Sequence, residues 1–347
     1  MIRTVALAAV ATLGLAACTN QDGGDTTRDH ISVVGSSTVF PFTTAVAEQF
    51  VRKTPGAKAP VVESTGTGGG MSLFCKGVGT QFPDIEDASR RMKDSEYAMC
   101  KSNGVTDIME IQVGIDGIAF AEAKNGPKLQ LTPVDLFKAL AASPMNQKNR
   151  TTTWDQINPA LPKIPIVVYG PPSTSGTRDA LSELILARGC EAVMPAMVKM
   201  KETAPQGYKD ICTKIRDDSA YVDSGENDNL IVQKLQANPN AIGIFGYSYL
   251  EANKDKLVGV PVNGIEPTYE TISSGTYPGS RPLFLYVKKA HLKAIPNLQA
   301  FLTLYTTMWA PDGALVKRGL IAAPQNIRDA SAKIIKDQTT LDPRQLR

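Results

Sequence analysis

The chain has 347 residues, 42% hydrophobic and 20% charged, the composition of an ordinary globular protein with room for two lobes. A formal charge of +3, with no Lys/Arg-rich run carrying interleaved aromatics, argues against nucleic acid as a partner, so any anion selectivity must come from a local site. With only His30 and His291, and no C-x-x-C, the residues for a zinc site are missing too.

The first residues, MIRTVALAAVATLGLAAC, carry one early positive charge at Arg3, then an apolar run over 5–15 that is too short to span a bilayer comfortably. The run ends in Leu15-Ala16-Ala17-Cys18, which resembles a bacterial lipobox. That resemblance implies a leader over 1–17, cleavage before Cys18 and a lipid on its sulfur, tethering the protein to a membrane. The alternative is an ordinary secretory leader that happens to contain a cysteine. Residues 18–30, including TNQDGGDTTRDH, have almost nothing to bury and read as a flexible tether. No later stretch approaches a membrane span.

From residue 31 a strand–loop–helix unit recurs. ISVVGSSTVFPFTTAVAEQFVRK gives a strand at 31–34, a turn, and a helix in which Val46, Phe50 and Val51 recur at helical spacing. APVVESTGTGGGMSLFCKG repeats the plan, with a strand at 61–63 and a helix from about Gly70. PDIEDASRRMKDSEYAMC supplies a third strand-to-loop transition over 84–90. VTDIMEIQVGIDGIAFAEAKN is an apolar extended segment long enough to cross from one lobe to another. VYGPPSTSGTRDAL is the fourth unit, with Ser173, Thr174, Ser175, Gly176, Thr177 and Arg178 at its junction. Those residues suit either a hydroxyl N-cap or an oxyanion site, because the first turn of a helix leaves N–H groups unpaired and aims its dipole outward. LVGVPVNGIEP is a candidate return crossing, and RPLFLYVKKAH a late strand that rejoins the first lobe.

Alternating strands and helices predict an α/β protein with a central parallel sheet in each lobe, covered on both faces. Two crossings make the first lobe discontinuous: 31–113 with 260–347, the second lobe being 114–259. Ligands of such sheets bind outside the carboxyl ends of the strands, and the four polar loops all fall there. With Cys18 assigned to lipid, Cys75, Cys100, Cys190 and Cys212 form an even set in an exported chain. Three pairings are open, besides four free thiols. Cys75–Cys100 and Cys190–Cys212 are preferred because each lies inside one predicted lobe.

The loops gather Gly35-Ser36-Ser37-Thr38, the run from Ser64 to Gly70, Ser89-Arg90-Arg91 and the stretch from Ser173 to Arg178. A tetrahedral oxyanion needs about a dozen short donors, which hydroxyls, helix-start amides and guanidinium groups supply. GTGGG is neither a Walker loop nor a G-x-G-x-x-G, since Met71 stands at the last glycine position. In combination, VGSSTVFPF, ESTGTGGG, DASRRMKDSE, STSGTRDAL, DNLIVQKLQANPNAIGIFGYSY and RPLFLYVKK resemble the substrate-binding protein of the bacterial high-affinity phosphate ABC transporter.

The resemblance implies a periplasmic-binding-protein fold with two crossovers (type II) and inorganic phosphate held between the lobes. It also implies delivery to membrane permease subunits, with no cofactor and no catalysis. Carried over by position, it places Ser37, Thr38 and the backbone around Val39 and Phe40 at the anion. Thr67 and the pair Ser89 and Arg90 follow, with Ser175, Gly176 and Thr177 as the cap and Arg178 as the guanidinium. Phosphate keeps a proton at neutral pH where sulfate does not, so a carboxylate acceptor would separate the two. Some members supply it where this chain has Arg90; Asp116 and Asp228, the latter followed by Asn229, are the candidates to replace it. Sulfate, molybdate and arsenate remain alternative ligands. A phosphoryl- or acyl-transfer enzyme using Ser175 or Thr38 is disfavoured, because neither histidine lies near a candidate nucleophile and no G-x-S-x-G elbow appears. A surface lipoprotein that senses or adheres, its anion site vestigial, is a third reading. The expected state is a monomer in the periplasm or cell envelope.

Overall fold

Short Val/Ile-rich runs pair into nine strands among the described residues: β1 (Ser32–Gly35), β2 (Val61–Ser64), β3 (Ile85–Ala88), β4 (Ile108–Ala123), β5 (Val168–Gly170), β6 (Tyr221–Asp223), β7 (Ile242–Gly246), β8 (Leu257–Gly259) and β9 (Ser280–Lys288). The computed structural model describes residues 28–173, 175–225 and 228–346; the leader, Cys18, most of the tether, Thr174, Glu226 and Asn227 lie outside them. The order is β2-β1-β3-β9-β4-β7-β5-β6, with β8 added alongside β4.

The sequence predicts parallel sheets, and the strands β1, β2 and β3, and β5, β6 and β7, are parallel within their groups. The sheet as a whole is mixed. β9 enters between β3 and β4 antiparallel to both, and β4 runs antiparallel to β7 and β8. An apolar run says that a strand is buried but not which way it points, so this departure could not be read from periodicity. Each half has its sheet, as expected, and β4 joins the two: its first part pairs with β9 and its later part with β7 and β8.

Three cores surround this framework. One face of β1, β3, β9 and the first half of β4 (Val33, Ile85, Leu285, Ile111) packs against the helix α1 (Phe40–Lys53) and the C-terminal helices. The other face (Ala88, Ile108, Phe284, Tyr286) packs against the helices α2 (Thr67–Phe74) and α3 (Asp94–Ser102). From Ile115 to Ala121, β4 instead enters a larger core with Phe137, Trp154, Val168, Ile185 and Phe245. Where the strand passes from one core to the next, its register with β9 shifts between Gln112 and Gly114, a bulge that bends the strand. Gly114 is required there: a Cβ would stand 2.5 Å from the Leu320 side chain.

Both preferred disulfides are present. Cys75–Cys100 ties the end of α2 to α3, and Cys190–Cys212 joins the helix Ala187–Val193 to the turn Lys209–Thr213. Closing loops of 25 and 22 residues, each is worth about 3 kcal/mol through the unfolded chain. Arg28, placed by the sequence in the tether, is held to the body: it ion-pairs with buried Asp84 and donates to the His30 and Phe82 carbonyls. Among the described residues no helix is long and apolar enough to cross a membrane.

Candidate functional site

The ends of β1, β2 and β3 and the start of the helix Gly176–Ala180 converge, as expected for ligands beyond the carboxyl ends of parallel strands. α2 begins at Thr67 rather than near Gly70, so the glycine run is itself the first turn. The Thr67 hydroxyl lies 3.1 Å from the Ser89 hydroxyl and accepts from the Ser89 amide at 3.1 Å, locking the second and third loops together. Ser175 is the N-cap of its helix, accepting from the Thr177 amide at 3.2 Å. The plain capping role and the polar junction are therefore the same residues.

The first loop reaches the fourth. Ser37 donates to the Asp179 carboxylate, and the Thr38 hydroxyl donates to the Gly176 carbonyl at 3.4 Å. Val39 turns its side chain into the hydrophobic core, and its carbonyl accepts from Phe42 and Thr43. The Phe40 amide donates to the Ser36 carbonyl at 2.9 Å. The loop thus offers polar side chains, while the Phe40 amide, expected at the anion, is taken by the Ser36 carbonyl.

Arg281, which the sequence reading did not single out, occupies the centre. It is the second residue of β9, is 5% exposed, and lies directly across from Asp116 in the β4–β9 register. Its Nε donates to Asp116 at 3.1 Å, Nη1 to Glu183 at 2.6 Å and Nη2 to the Thr38 hydroxyl at 2.7 Å. Burial pushes the Asp116 carboxyl above its ordinary range, and Arg281 opposes the shift without cancelling it. No motif could have flagged this arginine, because its partners come from three distant segments and meet only once β9 pairs with β4. The sequence signal was a cation ahead of the apolar run from Pro282 to Val287.

The two arginines expected at the anion are each held by other groups. Glu96 takes Arg90 in a fork, with contacts of 2.9 and 2.7 Å. Arg178 lies over the Tyr221 ring, 4.3 Å from its centroid, and donates to the Pro171 carbonyl at 3.0 Å, which also accepts from the Tyr221 hydroxyl. A cleft cavity of about 740 Å³ is lined by Ser89, Arg90, Asp179, Glu183 and Arg281, and also by Arg188 and Lys209. Of the residues expected at the anion only Ser89 and Arg90 line it; Ser37, Thr38, Val39, Phe40, Thr67, Asp116, Ser175, Gly176, Thr177, Arg178, Asp228 and Asn229 do not. Asp228 and Asn229 open the helix Asp228–Ala237, where the Asp228 charge acts on the Tyr249 phenol.

Behind these loops lie two sealed carboxyl groups. Both Glu86 oxygens are buried without a hydrogen bond, and burial drives this group well above the carboxylate range. Burial also pushes Asp87 up to about 8, against the opposing bond from the Thr43 hydroxyl at 2.7 Å. Because the folded state holds the Asp87 proton far above an unfolded value of about 3.9, this group's stabilisation is complete at low pH. It is lost as pH rises through that window towards 8. Asp87→Asn is expected to flatten the decline of melting temperature between pH 5 and 8, leaving the residual slope due to Glu86. An unchanged slope in thermal melts would show that Asp87 ionises normally.

A family model described as a PBP superfamily domain matches residues 20–307. Protein SphX of Synechococcus elongatus is 32% identical over 284 residues, covering 80% of this chain and 73% of that protein. Phosphate-binding protein PstS of Staphylococcus saprophyticus is 30% identical over 301 residues, covering 84% of this chain and 81% of that protein. Among solved structures, one titled as a possible phosphate binding protein from Planctomyces limnophilus aligns with a TM-score of 0.70 and 30% identity, covering 89% of this chain and 98% of its own.

Proposed function

The chain belongs to the PBP superfamily, and from that premise we propose that it captures inorganic phosphate between two lobes and delivers it to the permease of an ABC transporter. One observation carries the reading: a buried guanidinium, Arg281, stands in the cleft beside hydroxyls and helix-start loops from both halves of the sheet. Such a group offers parallel charge-assisted bonds to a tetrahedral oxyanion in a site shielded from water. The likeness to proteins named for phosphate binding supports phosphate as that anion.

In this reading Thr38, Thr67, Ser89, Ser175 and Thr177 supply hydroxyls and amides, and Arg281 supplies the principal charge, with Arg90 beside it. Asp116 holds Arg281 from behind. The moving bodies are residues 31–113 with 260–347, and 114–259. A lipid on Cys18 tethers the monomer to a membrane of the cell envelope. No reaction is assigned. His291 faces Asp84 and the Val78 carbonyl and His30 faces Asp29, so among the described residues neither histidine is paired with a hydroxyl of the cleft.

The test is equilibrium binding of radiolabelled phosphate to the purified protein, with sulfate, arsenate and molybdate as competitors. Phosphate should saturate one site per chain, and sulfate should compete poorly. Tighter competition by sulfate or molybdate, or the lack of saturable phosphate binding, would falsify the assignment.

A further inference from the structure

Arg281 has three partners, and they differ in how readily they can leave. Asp116 is its cross-strand neighbour on β4, fixed by the ladder. Thr38 is 7% exposed and held by the turn of the first loop, its amide bonded to the Ser36 hydroxyl. Glu183 alone is open to solvent, with 58% of its side chain exposed, and it reaches Arg281 on a long flexible stem. It belongs to a π-helical turn, Leu181–Leu186, that continues the helix Gly176–Ala180. Short π turns of this kind often re-aim side chains at functional sites.

The guanidinium presents two edges at which an oxyanion can take a pair of parallel bonds. Asp116 accepts from Nε, Thr38 accepts one of the two hydrogens of Nη2, and Glu183 accepts from Nη1. Only Oε2 of Glu183 is engaged there, and the same carboxylate acts electrostatically on Arg90 and on Asp116. Its charge therefore sits between the two arginines of the cleft, where the charge of a bound oxyanion would be favoured for the same reasons. One turn back, Asp179 crosses to Ser37, so two carboxylates spaced four apart on one helix face grip the opposite loops.

We infer that Glu183 is an internal counter-anion, a carboxylate that shares the outer edge of Arg281 with the Thr38 hydroxyl and must be displaced by the incoming oxyanion. The inference rests on the phosphate-binding reading and adds to it a residue that sets affinity by competition. Phosphate gains the Arg281 fork only by giving up the Glu183–Arg281 bond, so its apparent affinity is lowered by the strength of that internal pair. Such a group keeps the cleft charge-balanced between ligands and eases release, because the carboxylate can return as the anion departs.

The experiment compares wild type with Glu183→Gln in competition binding of radiolabelled phosphate, with sulfate measured in parallel. The amide removes the competing charge without shortening the side chain. Phosphate should bind at least fivefold tighter to the variant, and sulfate should gain by a similar factor. A gain in affinity is a readout that mere structural damage at an exposed position does not produce. Unchanged or weaker binding of both anions would overturn the inference. So would opposite shifts, phosphate weakening while sulfate tightens, since Glu183 would then be accepting the phosphate proton. If wild type binds sulfate but not phosphate, the ligand assigned above is wrong, and the sulfate measurement alone still decides the role of Glu183.

Discussion

Arg281→Ala is expected to weaken phosphate binding by at least a hundredfold and to lower the melting temperature at the same time. Two charge-assisted bonds from a buried guanidinium contribute ~1.5–3 kcal/mol each, and every ~1.4 kcal/mol is a factor of ten in affinity. The stability loss has a separate cause. Deleting Arg281 leaves Asp116 buried without its counter-charge, a situation that costs about 3–5 kcal/mol in typical buried pairs. Adding Asp116→Asn removes that orphaned charge, so the double variant should recover much of the stability and none of the binding. Arg281→Lys should recover only part of the affinity, since an ammonium cannot fork. Labelled-phosphate binding together with thermal melts separates these terms. Wild-type affinity in Arg281→Ala would mean that the buried arginine is only a strut between strands.

Gly176→Ala should show the opposite division, with binding lost and folding spared. Alanine is favoured over glycine inside a helix by about 1 kcal/mol, so the helix Gly176–Ala180 itself gains from the change. A Cβ there would nevertheless stand 2.8 Å from the Thr38 Cα and 3.1 Å from its amide nitrogen. Backbone cannot yield as a side-chain tip can, so the first loop must move back from the fourth. That withdraws Thr38 from Arg281 and widens the cleft where both halves have to meet the anion. A loss of phosphate affinity of roughly tenfold or more, with an equal or higher melting temperature, is the expected pattern, by the scale of one displaced charge-assisted bond. Unaltered affinity would mean that this close approach is not needed for binding.

Much of the architecture was legible because it is local. Hydroxyls after a strand and before an apolar periodic run marked the helices that start at Phe40 and Gly176, and Ser175 caps its helix as that pattern demands, whereas α2 starts at Thr67, ahead of the expected Gly70. The two disulfides followed from sequence proximity. What escaped was everything that depends on strand partnership. The direction of β9, the sharing of β4 between cores and the meeting of Arg281 with Asp116 are fixed by pairing over a separation of 165 residues. Arg178 stood in a promising motif, but a proximal motif does not say where a long side chain points. Here it stacks on Tyr221, a residue of the neighbouring strand β6.

The bulge in β4 has a mechanical meaning. The halves are joined not by slack loops alone but by β4, which pairs with β9 on either side of the bulge and carries on from one set of packed side chains into the other. A paired ribbon of this kind resists stretching and shear while tolerating twist, and its compliance is greatest where a ladder bond is missing. In the proposed reading, opening and closing would be a torsion about one short axle beside Arg281. The residues proposed to grip the anion would then lie next to the point about which the molecule turns, and a small rotation there would sweep the distant rims through a much larger arc.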